Sequence, residues 1–381
     1  MKYCRNCLEP DTRPGAKFDH KGICSTCNYY NYFQLSYDEK ERVRILQDII
    51  EKNKKIKLNK YYDCIIGVSG GKDSTRQALW VRDKLNLKPL LVCCAYPPEQ
   101  CTELGAKNLS NLMRLGFDII TTSPGPRTWQ KFLKKGFYDG NYLRGPELAL
   151  HSSLPQAAIK YNINLIFWGE GGNGKIFDHK TLNKKKEYDG NDLRNSNTLK
   201  NCNLDWMQEY IEDRAKLIPY TYPSKVDFKK NKIQIVYLGW FLKNWSIVDN
   251  AKHSSLCGLN LREDAVSKTG DLFGSMALDE EWVVINQMIK YLKFGYGRVT
   301  DYLNYEIRKK NISRKEAIKI VEKYDGACDE KYILHFCNYL KISQDEFWQV
   351  VSNLVNKKLF TLNNKKDKRK YLPKFRVGEG I

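Results

Sequence analysis

The chain contains a glycine-rich stretch, Ser-Gly-Gly-Lys-Asp-Ser, at residues 69–74, between an apolar run and an amphipathic one. A strand, a glycine turn and the start of a helix present backbone N–H groups at a helix N-terminus, where the helix dipole favours an anion such as phosphate. Gly70 and Gly71 let the backbone approach that anion closely. The alternative is an ordinary helix N-cap at Asp73, without chemistry.

The spacing in this stretch excludes a phosphate-binding loop of the Walker A type. That motif reads G-x-x-x-x-G-K-[ST], whereas Gly67 and Gly71 are one residue too close, and Asp73 follows Lys72 where serine or threonine should stand. The stretch therefore predicts a phosphate site of another class of nucleotide-binding protein.

Four cysteines near the N-terminus form a second pattern, one that could bind a metal ion. Cys4, Cys7, Cys24 and Cys27 have a spacing typical of a zinc ribbon, in which two knuckles each give two thiolates to one tetrahedral ion. Because four thiolates close the coordination sphere, we expect the zinc to be structural. An iron–sulfur cluster is the alternative occupant.

A rhythm of strands and helices surrounds the glycine stretch. Apolar runs predict strands at 62–68, 88–96, 117–123 and 163–170, with amphipathic helical segments between them. This alternation predicts an α/β fold with a doubly wound parallel sheet, which binds ligands at the carboxyl ends of its strands. After about residue 275 the pattern becomes mostly helical.

Composition narrows the class of protein further. The 381 residues include 64 Lys plus Arg against 44 Asp plus Glu, which gives a net charge of +20. The excess is mostly lysine in scattered runs, as an AT-rich genome would encode, so nucleic acid is not the expected partner. No secretory signal is visible, and the longest apolar runs are too short for a membrane span. We therefore expect a cytoplasmic protein.

The stretch at 69–74 resembles the SGGxDS loop of the PP-loop ATP pyrophosphatases, the adenine nucleotide α-hydrolase superfamily. The resemblance implies that the loop holds the β- and γ-phosphates of ATP as leaving pyrophosphate, while AMP is transferred to a substrate oxygen. It implies phosphate binding by Ser69, Gly70, Gly71 and Ser74.

The same resemblance assigns the remaining site residues. Lys72 would neutralise the phosphates and Asp73 would hold Mg²⁺, so these two are the expected catalytic residues. Adenine is expected near Ala95 and Tyr96, and the GEGG stretch is expected to close the ATP pocket through Gly169 and Glu170. For Glu170 the alternative is a surface loop carboxylate.

Over nearly its whole length the chain resembles the N-acetyl sugar amidotransferases of that superfamily, which make acetamidino sugars for bacterial surface polysaccharide or flagellin glycans. The resemblance rests on the order of the segments MKYCRNC, IIGVSGGKDST, LIFWGE, YLGWFLKNW and LKFGYGRVTDYLNYEIRKK. It implies that ATP adenylates the acetamido oxygen of a nucleotide-linked sugar or a nonulosonic acid such as pseudaminic acid. Ammonia then expels AMP and leaves an amidine.

The expected organisation follows from these patterns together. We expect a zinc ribbon at 1–35, a linker helix at 36–60, a PP-loop domain with sugar-site insertions at 61–275, and a helical C-terminal region with a basic tail at 276–381.

The ammonia needs a source. The chain shows no nucleophilic cysteine in a glycine-rich elbow and no cysteine directly after Met1, which mark the two glutaminase classes. By elimination and by family we expect a separate glutamine amidotransferase subunit as partner.

Two other functions remain open at this point. A PP-loop sulfurtransferase that modifies tRNA would use the same loop and would suit the positive charge, with Cys101 and Cys257 as candidates for sulfur delivery. A nucleotide-sensing regulator would bind ATP without turnover.

Overall fold

Short apolar runs pair as a parallel sheet at the centre of the molecule. The computed structural model describes residues 1–169, 187–196, 199–363 and 370–380. The sheet has the strand order β3-β2-β1-β4-β5, with β1 (Cys64–Gly67), β2 (Pro89–Cys94), β3 (Ile119–Thr122), β4 (Leu165–Trp168) and β5 (Gln234–Tyr237). All neighbouring pairs are parallel. The order reverses between β1 and β4, as in doubly wound folds, so the predicted fold class is confirmed.

Helices cover both faces of this sheet. The helices that precede or connect its strands are α1 (Ser25–Leu35), α2 (Glu39–Lys55), α3 (Lys72–Leu85), α4 (Glu103–Arg114), α5 (Pro126–Tyr138), α6 (Arg144–Lys160), α7 (Asp205–Gln208) and α8 (Lys225–Lys230). Apolar residues of α2, α3 and α4 pack on one face, and those of α6 pack on the other. Because both faces are covered, every residue of β2 is buried, which explains its continuous apolar sequence.

The part of the chain after the sheet is helical, as predicted. Its helices are α9 (Ile247–Leu256), α10 (Val266–Thr269), α11 (Val283–Phe294), α12 (Arg298–Arg308), α13 (Arg314–Tyr324), α14 (Glu330–Leu340) and α15 (Gln344–Leu354). Apolar residues of α11, α14 and α15 share a core with α5. Among the described helices, none combines the length and the apolar character that a membrane crossing requires.

The N-terminal cysteine segment packs against these late helices. Cys4 and Cys7 belong to one apolar cluster with Val299 and Leu303 of α12. The second knuckle begins α1, where Cys24 is the N-cap residue.

Several elements were not predicted individually from the sequence, among them the strand β5 and the helices α5 and α9. In the basic C-terminal stretch, β6 (Phe360–Leu362) and β7 (Tyr371–Pro373) form an antiparallel pair. The strands β5, β6 and β7 have only three or four residues each, too few for a periodic signal, and long-range packing decides their form.

Candidate functional site

The glycine stretch forms the turn between β1 and α3, at the carboxyl edge of the sheet. Gly70 has a φ of +79°, and a Cβ atom there would meet the backbone nitrogen of Leu109 at 3.0 Å. Both facts require glycine. Gly71 is the N-cap residue of α3 and offers no side-chain hydrogen bond to its first turn. This is the arrangement in which a helix N-terminus binds phosphate.

Lys72 and Asp73 occupy the first turn of α3. The Nζ atom of Lys72 donates a hydrogen bond of 2.9 Å to Oδ2 of Asp73. The Lys72 side chain is 4% exposed and that of Asp73 is 39% exposed. A buried ammonium group next to a reachable carboxylate suits a phosphate group that carries Mg²⁺, an ion that takes only one or two carboxylates besides phosphate oxygens.

A cavity of about 230 Å³ opens in front of this turn. Its walls come from the glycine turn, the carboxyl ends of β2 and β4, helix α6 and a segment just before α11. Residues of the turn that line it are Gly67, Val68, Ser69, Gly71, Lys72, Asp73 and Ser74. The structure therefore brings together most of the predicted phosphate-binding residues, with Gly70 beside them in the same turn.

The segment at residues 275–279 also lines the cavity and contacts the glycine turn, because the Nζ atom of Lys72 lies 3.0 Å from Sδ of Met276. Asp279 in this segment accepts a hydrogen bond from the Ser69 side chain. Gly105 of α4 leaves room for the segment, since a Cβ atom there would meet Cα of Asp279 at 2.5 Å. Residues from the C-terminal part of the chain thus complete the cavity.

Two neighbouring carboxyl groups, Asp279 in the cavity wall and Glu280 directly after it, have raised pKa values. Burial raises the pKa of Asp279 to about 6, although its hydrogen bond with Ser69 and the charges of Arg262 and Lys72 oppose the shift. Burial and the neighbouring Asp279 raise the pKa of Glu280 to about 7. Such values suit proton exchange near neutral pH. Sequence reasoning missed both residues, because no motif marks them.

Of the residues predicted to contact adenine or to close the ATP pocket, only some line the cavity. Gly169 lines the cavity, and Glu170 lies outside the described residues. Ala95 continues the pairing of β2 with β3 by donating its N–H to the oxygen of Thr122 at 2.8 Å. Tyr96 packs edge-on against Trp129, with ring centroids 5.6 Å apart. Neither belongs to the cavity lining, to which β2 contributes Val92 and Cys94 instead.

The helix α9, which follows the sheet in the sequence, forms hydrogen bonds with the first turn of α3. Ser254 of α9 donates a hydrogen bond of 2.6 Å to the backbone oxygen of Lys72, and Asn250 donates one of 2.5 Å to Oδ1 of Asp73. Both residues are buried, at 0% and 1% exposure. The sequence gives one clue to this role: polar residues spaced four apart on a helix share a face.

The four N-terminal cysteines converge on one buried point. Their sulfur atoms all lie within 4.8 Å of one another. Cys4 Sγ is 3.9 Å from Cys27 Sγ, and Cys7 Sγ is 3.8 Å from Cys24 Sγ. Zinc–sulfur bonds of about 2.3 Å in a tetrahedron place the sulfurs about 3.8 Å apart, so a single zinc ion fits this donor set. A cubane cluster would hold its four thiolates farther apart, because each binds a different iron atom.

A buried arginine from α12 faces the same cysteines. Arg308 donates to Cys27 Sγ at 3.4 Å through Nε and to Cys7 Sγ at 3.5 Å through Nη2. Burial alone would lower the pKa of Arg308, but the neighbouring cysteines raise it overall. Its side chain is 0% exposed. A permanent positive charge so placed offsets the negative charge of four thiolates around a divalent ion.

Comparisons with known proteins give matches to parts of this chain. Residues 271–374 match the family model described as the C-terminal domain of WbpG-like LPS biosynthesis proteins. A curated relative, the 7-cyano-7-deazaguanine synthase of Helicobacter pylori, is 32% identical over 105 residues. That match covers 27% of this chain and 44% of the relative, so the chain matches less than half of the relative's length.

A solved structure gives a weaker match. The U34-tRNA thiolase NcsA from Methanococcus maripaludis with its [4Fe-4S] cluster is 12% identical, with a TM-score of 0.29. The match covers 90% of this chain and 96% of the thiolase. At this TM-score the likeness assigns no activity and no cluster to the chain.

Proposed function

We propose that this chain, whose residues 271–374 match the model of the WbpG-like LPS biosynthesis C-terminal domain, is an ATP-dependent sugar amidotransferase. It would adenylate the acetamido carbonyl of a nucleotide-linked sugar or nonulosonic acid, and ammonia would then replace AMP. The observation that carries the proposal is the shared cavity: the glycine turn and residues 275–279, which lie within the matched C-terminal domain, line the same cavity.

The chemistry divides into two balanced steps. In the first, the acetamido oxygen attacks the α-phosphorus of ATP, and pyrophosphate leaves with the electron pair of the broken P–O bond. In the second, ammonia adds to the imidoyl carbon, AMP leaves with its oxygen, and one proton is lost. Neither step needs a protein nucleophile, so positioning and charge stabilisation carry the catalysis.

The residues of the glycine turn suit the first step. The backbone at Ser69–Gly71 and the buried ammonium group of Lys72 would hold the departing pyrophosphate, and Asp73 would hold the Mg²⁺ that it carries. When bound, Mg²⁺ would neutralise charge that develops on the leaving phosphates. A hydrogen bond from Ser254 of α9 to the backbone oxygen of Lys72 helps to hold the turn in this conformation.

A separate glutaminase would supply the ammonia. We infer this because the sequence shows neither of the cysteine signatures that mark the glutaminase classes. The Asp279 carboxyl group at the cavity wall would be suited to take the proton that the ammonia loses.

The competing function is sulfur transfer to tRNA. Delivery of the sulfur by a cysteine would need a thiolate at the reaction site, and Cys94 is the cysteine that lines the described cavity. Burial raises the pKa of Cys94 to about 12, so it is a neutral thiol near pH 7. Neither Cys101 nor Cys257 belongs to that lining. These facts favour the amidotransferase.

The deciding experiment offers both classes of acceptor to the purified protein. With ATP, Mg²⁺ and an ammonium salt, a set of acetamido nucleotide sugars and CMP-linked nonulosonic acids should include one that releases AMP and pyrophosphate and loses one mass unit as oxygen becomes NH. Transfer RNA should give no AMP. Release with tRNA alone would establish the competing function, and binding of ATP without release under any acceptor would indicate a regulator.

A further inference from the structure

The carboxylate of Asp73 accepts a hydrogen bond from a buried side-chain amide. Asn250 projects from α9 towards the first turn of α3, and its Nδ2 donates a hydrogen bond of 2.5 Å to Oδ1 of Asp73. Asn250 is 1% exposed. An amide buried to this degree does not sample alternative positions as a surface side chain does.

Arg76 fixes which way round this amide points. Nη1 of Arg76 donates to Oδ1 of Asn250 at 2.6 Å and to the backbone oxygen of Asn244 at 2.7 Å. A guanidinium group has only donors, so the amide oxygen must face Arg76 and the amide NH₂ must face Asp73. The hydrogen bonds in the series Arg76–Asn250–Asp73 therefore all run in one direction, with Arg76 donating to Asn250 and Asn250 donating to Asp73.

The two oxygen atoms of Asp73 are each fixed by one donor. Oδ1 accepts from Asn250, and Oδ2 accepts from Lys72 Nζ at 2.9 Å. A carboxylate oxygen has two lone pairs, so one on each oxygen stays available to a cation. Without the amide, a side chain that is 39% exposed would rotate more freely about its χ angles.

We propose that Asn250 is a positioning residue that aims the Asp73 carboxylate at the Mg²⁺ carried by ATP. The inference rests on the proposed function, because it specifies how the ligand assigned there is oriented. Partners that orient metal ligands typically affect metal affinity by tenfold or more when they are removed.

Asn250 is not the main contact that holds α9 against α3. Ser254 binds the backbone of Lys72, and Ser246 caps α9 by accepting from the backbone N–H of Asp249 at 3.1 Å. Loss of the Asn250 amide would therefore leave α9 in place. This separates a role in metal binding from a role in packing.

The test measures ATP binding by calorimetry, once in EDTA and once across a series of Mg²⁺ concentrations. In Asn250→Ala, and in Asn250→Leu, which retains side-chain volume, the Mg²⁺ concentration for half-maximal enhancement of ATP affinity should rise by on the order of tenfold. ATP affinity in EDTA should stay within about twofold of the wild type. Ser246→Ala is the control: it should lower Tm and leave the Mg²⁺ dependence unchanged.

Two outcomes would overturn the inference. One is a wild-type Mg²⁺ dependence in both Asn250 variants, and the other is an equal loss of ATP affinity with and without Mg²⁺, which indicates packing alone. Failure of the proposed function looks different: no acetamido sugar would then elicit AMP release from the wild type, whereas its Mg²⁺-dependent ATP binding would still be measured and compared with that of the variants.

Discussion

Ser254 Oγ donates a hydrogen bond of 2.6 Å to the backbone oxygen of Lys72, across 182 residues of sequence. The first turn of α3 is therefore held by a helix that follows the whole sheet in the chain. The glycine turn of this chain is thus held by more than the local strand-turn-helix unit, and α9 is part of its architecture.

Replacement of Asp73 by Asn should abolish turnover without unfolding the protein. Asn retains an oxygen that can accept from Asn250, but it is a poorer ligand for Mg²⁺. We expect acceptor-dependent AMP release to fall by on the order of a hundredfold or more, since each 1.4 kcal/mol of lost transition-state stabilisation is about tenfold in rate. Tm should hardly change.

Asp83→Asn on the same helix is a matched control for that change. Asp83 is 49% exposed and pairs with Arg82 at the surface, so its loss should affect neither rate nor Tm appreciably. Near wild-type turnover in Asp73→Asn, or ADP as the product, would contradict the assignment of the loop.

The four-cysteine site should contain one zinc ion per chain. Cys24→Ser should release the metal and lower Tm, because the buried thiolates link the N-terminal segment to α12. ATP binding should persist, since the glycine turn is built from other elements. Elemental analysis and thermal unfolding would measure both effects.

Cys64→Ser serves as the comparison for the zinc site. Cys64 is equally buried, at 0% exposure, but lies in β1 outside the cluster, so its replacement should lower Tm and keep the zinc. Iron with an iron–sulfur absorption band in the fresh wild-type protein would refute the prediction.

Stability should depend on the protonation of Asp279. Its pKa is about 6 in the folded chain, raised chiefly by burial from an ordinary value of 3.8. Between these values the folded state binds more protons than the unfolded state, so the free energy of unfolding falls as pH rises. Each unit of the difference corresponds to about 1.4 kcal/mol.

Asp279→Asn should remove this loss. The variant should match the wild type near pH 4 and be more stable than it above pH 6, as measured by urea unfolding at a series of pH values. A variant that is less stable than the wild type above pH 6 would show that Arg262 and Lys72 more than compensate the buried charge.

The isolated chain should use ammonium salts and not glutamine. No glutaminase nucleophile is recognisable in its sequence, so AMP release should respond to ammonium concentration and remain at background with glutamine. Addition of a cognate glutaminase should restore glutamine use. Glutamine hydrolysis by the purified chain at a catalytic rate would contradict this division of labour.

Local patterns were sufficient to predict the glycine turn, the strands beside it and the cysteine site. The turn at Gly70 and Gly71 has a short-range sequence signal, and β2 is a continuous apolar run. Asp279 gave no such signal and Asn250 only its spacing of four residues from Ser254, because the importance of both arises only when segments distant in the sequence meet. Sequence spacing constrains neighbours along a helix or strand, and it does not specify which distant side chain faces them.

The contact between the first knuckle and α12 has a consequence for biosynthesis. The backbone N–H of Leu8 donates to Oδ1 of Asn304 at 2.6 Å, at a sequence separation of 296. At roughly 5–20 residues per second, a ribosome needs on the order of 15–60 s to deliver the second partner after the first. During that interval the earliest cysteines have neither Arg308 nor α12 to shelter them. Early capture of a metal ion would protect these thiols from oxidation until the remainder of the chain emerges.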